Sequence, residues 1–447
     1  MNILSVDIGT TGMKIGVFSA ADGDLAPVAQ FSGEYKVNVY KDGLFADIEQ
    51  EKWRDKFIEG CRSLGEHLAD IDVIALSGTT PGFTVMGPGG DALYPAILML
   101  DQRSRVQARH IIDVIGLDYL LAETGNMPVA GGCSLASMLW LKDNHPDLYN
   151  KAECFGHSNT YMAKWLTGSY AIDPSSASLM ALYNTVRNDY TWNERIAGEF
   201  DLGLDRLPRI IPTGESAGRL RQGLARELGM WKEPPVIIGG NDAVLAAYSL
   251  GRDDPGDIIN VNGTCEITLV CLPKCLSSCN HNVRCHVTPD RWLTLYVMNA
   301  GGKALEWFRS IFCSEMDHDT FYGDFIERAL DIWVPRENAV TYVPFLMGSR
   351  YSLDPLKAEF TGLTQETTRE ELLAAMVRGL SAYQGEHLRE IALEVPLKKS
   401  ICVTGGAATP AIIRAKKKWM RDGEYVYEDQ SSMRGAAMLG REYIESH

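Results

Sequence analysis

Two stretches of the chain repeat one short pattern, and that repeat constrains the fold more than any other feature. Residues 3–8 run apolar through Ile3, Leu4, Val6 and Ile8, break at Gly9-Thr10-Thr11-Gly12, and turn apolar again through Lys14-Ile15-Gly16-Val17-Phe18. This reads as a buried strand, a tight turn and a second strand, a hairpin with a Gly/Thr tip. Residues 257–270 do the same: Asp257-Ile-Ile-Asn-Val-Asn enters Gly263-Thr264 and leaves through Glu266-Ile-Thr-Leu-Val270. One such hairpin in each half predicts a duplicated fold.

Around each hairpin strands alternate with helices. Trp53, Phe57, Ile58, Cys61, Leu64 and Leu68 fall on one helical face and predict a helix over 48–69. Residues 72–77 predict a short strand ending at Gly78. Pro235-Val-Ile-Ile-Gly-Gly predicts a strand feeding Asn241-Asp242 and an Ala/Leu-rich helix from Ala243 to Leu250. That alternation is the signature of an α/β protein. The apolar pattern stops at Gly251-Arg-Asp-Asp-Pro-Gly256, which sets a boundary between domains 1–245 and 246–447. At 447 residues the chain is long enough for two domains, each with its own core.

Composition narrows the function classes. With 43 Lys+Arg against 58 Asp+Glu, the net charge of −15 lacks the basic surplus of a nucleic-acid binder. Ten cysteines in so long a chain are far too sparse for a disulfide scaffold and suit a reducing, cytoplasmic setting. No apolar run approaches the roughly 18 residues of a membrane helix. The opening Met-Asn-Ile-Leu-Ser-Val-Asp has no basic region of the kind that starts a secretory signal.

The turns carry the chemistry. A glycine-rich hairpin tip exposes backbone N–H groups that can cradle phosphate oxygens. At the first tip, Gly9, Thr10, Thr11 and Lys14 supply donors and positive charge. Asp7 is placed to hold Mg²⁺, through water, because that ion keeps much of its hydration shell. The plain alternative is an ordinary turn with a surface lysine. The Walker pattern is absent. Gly263 and Thr264 offer a second phosphate turn. Gly405-Gly406-Ala407, between the strand Ser400-Ile-Cys-Val-Thr404 and a helix opening at Pro410, offers a third, where a flat group can approach the backbone. Singly each is more readily a plain turn; three in this order are much harder to dismiss. Asp242, just past a buried strand, is the candidate base: a carboxylate there can take the proton of an attacking hydroxyl. Its alternative role is to cap the following helix.

Taken together, these motifs resemble the FGGY family of carbohydrate kinases, within the actin/hexokinase/Hsp70-like ATPase fold, almost end to end. Asp7-Ile-Gly-Thr-Thr-Gly-Met-Lys14 resembles the first phosphate motif. Ala96-Ile-Leu-Met-Leu-Asp101-Gln102-Arg103 is similar to its W-x-D-x-R segment, and Trp140-Leu-Lys-Asp-Asn-His-Pro146 to its W-L-K-x-N-x-P helix. Leu166-Thr-Gly168 followed by Asp173-Pro-Ser-Ser-Ala-Ser178, Gly240-Asn-Asp242, Gly263-Thr264, Gly405-Gly406 and Gly435-Ala436-Ala437 complete the ordered set. The resemblance implies two actin-like (ribonuclease H-like) domains with an ATP cleft between them. It implies a Mg²⁺- and ATP-dependent transfer to a hydroxyl of a small sugar or polyol. Asp242 would be the base and Asp7 would position Mg²⁺. Thr10, Thr11, Lys14 and Thr264 would hold phosphates, and Gly405, Gly406 and Ala407 would face adenosine.

The sugar side departs from the family pattern. Gly78-Thr79-Thr80-Pro81-Gly82 stands where xylulokinase-like members carry G-Q-M-H-G. Met99 stands where a tryptophan is usual, and Leu356-Lys357-Ala358 follows Asp354-Pro355 where A-R-G is expected. Thr79, Asp101 and Arg103 are then the expected substrate contacts. A carboxylate and a guanidinium together can hold several hydroxyls; the equal alternative for that pair is a structural ion pair.

Two other features stand apart. Cys271, Cys275, Cys279 and Cys285, with His281 and His286, have zinc-ligand chemistry. Their spacing lacks a C-x-x-C knuckle and favours a loop of free thiols joining two strands of the second domain. Lys416-Lys417-Lys418 reads as the exposed face of a helix. The expectation is a cytoplasmic kinase of a small sugar or polyol, a pentulose such as xylulose first, with glycerol, a tetritol or a deoxyketose as rival acceptors. A non-catalytic sensor or a chaperone-like ATPase ranks behind. No nucleic-acid or membrane partner is expected, and the sequence leaves room for a homodimer.

Overall fold

The computed structural model describes residues 1–21, 24–336, 339–352, 354 and 356–447. Pro355 of the Asp354-Pro355 pair lies outside them. The chain divides into two compact units. The first comprises Met1–Gly251, Lys274–Trp292 and Gln430–His447, and the second Arg252–Pro273 and Leu293–Asp429. A single cut at 245/246 therefore does not describe the division, because the chain returns to the first unit twice.

Both sheets are built on the hairpins read from the sequence. In the first unit Asn2–Ile8 pairs antiparallel with Gly12–Ala21, which pairs with Asp24–Glu34. On its other side Asn2–Ile8 runs parallel to Val73–Gly78, and that strand runs parallel to Pro235–Asn241. In the second unit Ile258–Asn262 pairs antiparallel with Glu266–Leu272 and parallel with Ser400–Thr404, which runs parallel to Glu424–Tyr427. Trp292–Met298 lies beyond Glu266–Leu272. In each sheet two parallel strands follow on the far side of the hairpin's first strand; Ser216–Arg219 lies at the edge of the first sheet and Asn282–Cys285 at the edge of the second.

The first unit buries its helices against this sheet as their spacing dictates. Glu51–Leu64 presents Trp53, Phe57, Cys61 and Leu64 to a core with Ile15, Leu76 and Tyr161. A short 3₁₀ turn, Gly65–Leu68, takes the place of its expected last turn. Trp53 and Phe57 are fully buried, each worth roughly 1.5–3 kcal/mol of apolar burial. The C-terminal helix Ser432–Ser446 lies on Asp242–Ser249 within the first unit. A side chain at Gly435 would collide with the Leu245 backbone, which explains the small Gly435-Ala436-Ala437 triplet. The second unit packs Gly302–Phe312, Arg369–Ala392 and Pro410–Trp419 around a core that includes Phe308, Phe321 and Phe325. No helix among the described residues is long and apolar enough to cross a membrane.

Candidate active site

Sheet register brings the first set of site residues together. Across the first sheet, Lys14 pairs with Asp7, Asp7 with Ser77, and Ser77 with Gly240. This row lies at the C-terminal ends of the parallel strands, where α/β sheets present ligand-binding groups. A bulge at Gly239 shifts the register there. Gly240 adopts φ +143°, a conformation a side chain would strain. That kink turns the chain into the helix Asp242–Ser249.

Asp7 is buried and accepts a hydrogen bond from Ser77 Oγ at 2.7 Å. The turn beside it closes through Gly9 N–H to Gly12 O at 2.9 Å. Tyr35 O–H braces it from outside, donating to Gly9 O and, at 3.0 Å, to Gly12 O. Thr10 Oγ1 meets Thr79 Oγ1 at 3.2 Å, so the first hairpin turn touches the segment expected to face the acceptor. Thr11 and Lys14 are exposed.

Asp242 is the first residue of its helix. The capping role falls to Asn241, whose side-chain oxygen accepts from Val244 N at 3.3 Å, so the aspartate is released from capping. Its Oδ1 accepts from Ala243 N and from Asn241 Nδ2, both at 2.8 Å. Burial, and then the nearby charge of Asp7, push its carboxyl up to about 6. Arg284 and the two hydrogen bonds pull the other way. A carboxylate near neutrality is suited to general-base work.

Arg284, which escaped the sequence reading, joins Thr80 in these surroundings. Arg284 is buried and donates from Nη1 to Thr80 Oγ1 at 2.6 Å. His157 is fully buried, with Nε2 at 2.7 Å from Ser134 Oγ. Burial, aided by the Arg284 charge, pushes its pKa down to about 3, so its ring is neutral at physiological pH. Nothing in the local pattern Asn282-Val-Arg-Cys285 marks Arg284, because its partners come from segments remote in sequence.

Asp101 and Arg103 take the structural alternative. Arg103 donates from Nε to Asp101 at 2.8 Å, from Nη2 to Asp47 at 2.7 Å, and from Nη1 to Tyr94 at 3.0 Å. Ala46 N–H also donates to Asp101 at 2.7 Å. Both side chains have no exposure, and the guanidinium lies over the Phe45 ring. Their polar groups are engaged with one another and with neighbouring residues, as a structural ion pair requires.

The cysteine-rich segment joins Glu266–Leu272 to Trp292–Met298, both strands of the second sheet, and its cysteines are free, as expected; residues 274–292 nevertheless group with the first unit. Cys285 is buried beside Ser178 Oγ, whereas Cys271 lies on a strand of the second unit. Among the described residues no three His, Cys, Asp or Glu side chains converge to hold a metal.

The second unit gathers its own turns. Gly302 N–H donates to Gly263 O at 2.8 Å, and Gly301 N–H and Lys303 N–H donate to Thr264 O at 3.0 and 3.1 Å. Ala407 N–H donates to Asn262 O at 3.0 Å. Gly405 has φ +95° and leaves no room for a side chain against Asn262. Beside these turns lies a small recess. Leu305, Val377, Leu380 and Ile412 give it apolar sides, and Glu266 and Lys416 are its charged members. Lys416 is not exposed: its ammonium is buried against Glu266 and, at 2.9 Å, Asn260 Oδ1. Lys417 and Lys418 are exposed as expected.

Comparison with known proteins identifies the family. Residues 2–249 match the model of the N-terminal domain of the FGGY family of carbohydrate kinases. Xylulose kinase of Staphylococcus xylosus is 24% identical over 453 residues, covering 98% of this chain and 90% of the relative. Gluconokinase of Bacillus subtilis is 25% identical over 454 residues, covering 98% and 86%. The ligand-bound xylulose kinase from Lactobacillus acidophilus superposes with a TM-score of 0.89 at 18% identity, covering 100% and 90%. With more than half of its length matching the family and its strand order shared by both halves, the chain belongs to the FGGY family of carbohydrate kinases.

Proposed function

We propose that this carbohydrate kinase moves the γ-phosphoryl group of ATP to a hydroxyl of a pentulose, with xylulose first. The observation that carries the reading is Asp242: a carboxyl held by one oxygen, raised to about 6, at the strand ends that also carry the Gly9–Thr10 turn. Ionised Asp242 accepts the proton of the acceptor hydroxyl as its oxygen attacks phosphorus, and the ADP oxygen departs in line.

Within the first unit, Gly9, Thr10, Thr11 and Lys14 are the proposed phosphate contacts; within the second, Gly263 and Thr264 offer a turn of the same kind. Gly405, Gly406 and Ala407, with the apolar sides of the recess, hold adenosine. Thr79, hydrogen-bonded to Thr10, borders the acceptor. Asp7 fits Mg²⁺: it is a hard oxygen donor whose orientation Ser77 fixes, and such an ion needs only one or two carboxylates beside phosphates and water. Bound there, Mg²⁺ would offset negative charge on the phosphates. Ten free cysteines favour a reducing cytoplasm as the place of action.

Xylulose is favoured by the relatives named above. The gluconokinase at equal identity, and the Thr79-Thr80-Pro81 departure, keep other polyols and sugar acids in the test. ADP release from Mg·ATP is measured against ketoses, aldoses, polyols and aldonates, with Asp242→Asn as the blank. Stimulation by xylulose that vanishes in the variant supports the reading. Stimulation by another acceptor replaces xylulose, and an Asn variant with full turnover removes Asp242 from the role.

A further inference from the structure

The segment 274–292 returns from the second unit's sequence into the first unit and carries Arg284 with it. From that guanidinium an unbroken line of hydrogen bonds runs to the base. Nη1 donates to Thr80 Oγ1 at 2.6 Å. The same oxygen accepts from Asn241 Nδ2 at 2.8 Å, and Nδ2 also donates to Asp242 Oδ1 at 2.8 Å. Asn241 is pinned elsewhere too, its N–H donating to Ser175 Oγ at 3.0 Å and its Oδ1 accepting from Val244 N. Thr80, Asn241 and Arg284 are all buried. In such surroundings hydrogen bonds polarise one another, and a charged donor at the head strengthens the line.

We propose that Arg284 is a positioning residue for phosphoryl transfer: through Thr80 and Asn241 it fixes Oδ1 of Asp242 and leaves Oδ2 to take the acceptor's proton. The inference rests on the reading of Asp242 as the base. Three charged or polar influences bear on that carboxyl. Asp7 acts from the first strand, Arg284 from the inserted segment, and the N–H groups of Asn241 and Ala243 from its own strand end and helix. Arg284 is the cation among them, and it favours the ionised base. The competing role is purely structural, a buried arginine tying the inserted segment to residues 79–81.

Kinetics of the full chain separate the two roles. Mg·ATP is used with D-xylulose, or with whichever panel acceptor stimulates ADP release most. Arg284→Gln is expected to lower kcat about 10- to 100-fold, part of the worth of a well-placed base, while both KM values stay within about twofold. Arg284→Lys keeps a cation and recovers most of that loss. Thr80→Val, nearly isosteric, breaks the line without touching charge and gives the same kcat-only signature. A crystal structure of the Gln variant, which needs no acceptor, shows Asp242 turned away from its position here. Wild-type kcat in Arg284→Gln with Asp242 still in place overturns the proposal. So does a loss that follows melting temperature and both KM values and is not recovered by lysine. Asp242→Asn separates the two levels: an active Asn variant removes the base reading itself, whereas an inactive one beside an unaffected Arg284→Gln removes only this inference.

Discussion

The two hairpins share a fold and differ in charge. Each enters its turn at a Gly-Thr pair, Gly9-Thr10 or Gly263-Thr264, and each first strand has an antiparallel neighbour on one side and a parallel one on the other. At the turn, Ile8 faces Met13 in the first hairpin, and Asn262 faces Glu266 in the second. One pair further in, Asp7 faces Lys14, but Val261 faces Ile267. The first unit then adds Asp242 and leaves two carboxylates near one another, which raises the pKa of one. The second neutralises its Glu266 internally with Lys416 and opens an apolar recess. Backbone geometry suited to phosphate is thus common to both units, while reactive charge belongs to one. The fold supplies the platform, and a few side chains beside the turn decide what it does.

Removing Asp242 should break this asymmetry most. Asp242→Asn is expected to lose roughly 10²–10⁴-fold in kcat, the usual worth of a positioned base, measured by ADP release at saturating acceptor. Its stability should move the other way. The folded carboxyl titrates near 6, above its usual 3.8, so the native state binds that proton more tightly than the unfolded chain. The stability this contributes is complete below about pH 4 and disappears as pH rises through 6. The gain in melting temperature of the Asn variant over wild type should therefore be larger at pH 7 than at pH 4.

Local patterns made much of this molecule readable. Alternating apolar runs gave the strands, the 3.6-residue spacing of Trp53, Phe57, Cys61 and Leu64 gave the first helix, and the Gly/Thr turns gave the hairpin tips. Readings failed where remote residues meet. Asp101 and Arg103 left two equal readings open, and the partners that hold the guanidinium, Asp47 and Tyr94, come from other strands. Lys416 looks solvated until helix packing places it against Glu266. Arg284 gave no signal because Thr80 and Asn241 are distant in sequence, and so did the return of residues 274–292 and 430–447 to the first unit. A charged residue's role is set by what surrounds it in space, which short-range periodicity does not encode.

The buried pairs sharpen the contrast through stability. Arg103→Met would strand the carboxylates of Asp101 and Asp47, and Lys416→Met would strand Glu266. Each should cost about 3–5 kcal/mol in denaturant unfolding, as broken buried pairs do. Lys416→Met combined with Glu266→Gln should recover much of that loss, because no uncompensated charge remains. A soluble, folded fraction of Arg103→Met should keep its KM for acceptor within about twofold; a large selective rise would return Arg103 to the substrate site.

Acidity tests the same difference at smaller amplitude. kcat/KM should rise with pH along a limb centred near 6 as Asp242 ionises, a change of about tenfold per unit below the midpoint. The residual activity of the Asn variant should lack that limb. A limb of equal position in both would assign the titration to another group.

The smallest expected effect isolates the charge beside the first turn. Lys14 is exposed and stands across the hairpin from Asp7, where the second hairpin carries Ile267 across from Val261. An exposed cation of this kind is worth about 0.2–1 kcal/mol, so Lys14→Ala should raise the KM for ATP only about 1.5- to 5-fold and leave kcat alone. Added salt should shrink the gap between variant and wild type, because solvent-facing charges are screened within about 10 Å at 0.1 M. A KM that does not move would show that backbone N–H groups suffice to hold phosphate in both hairpins. The asymmetry between the units would then reside in the carboxylates of Asp7 and Asp242 alone.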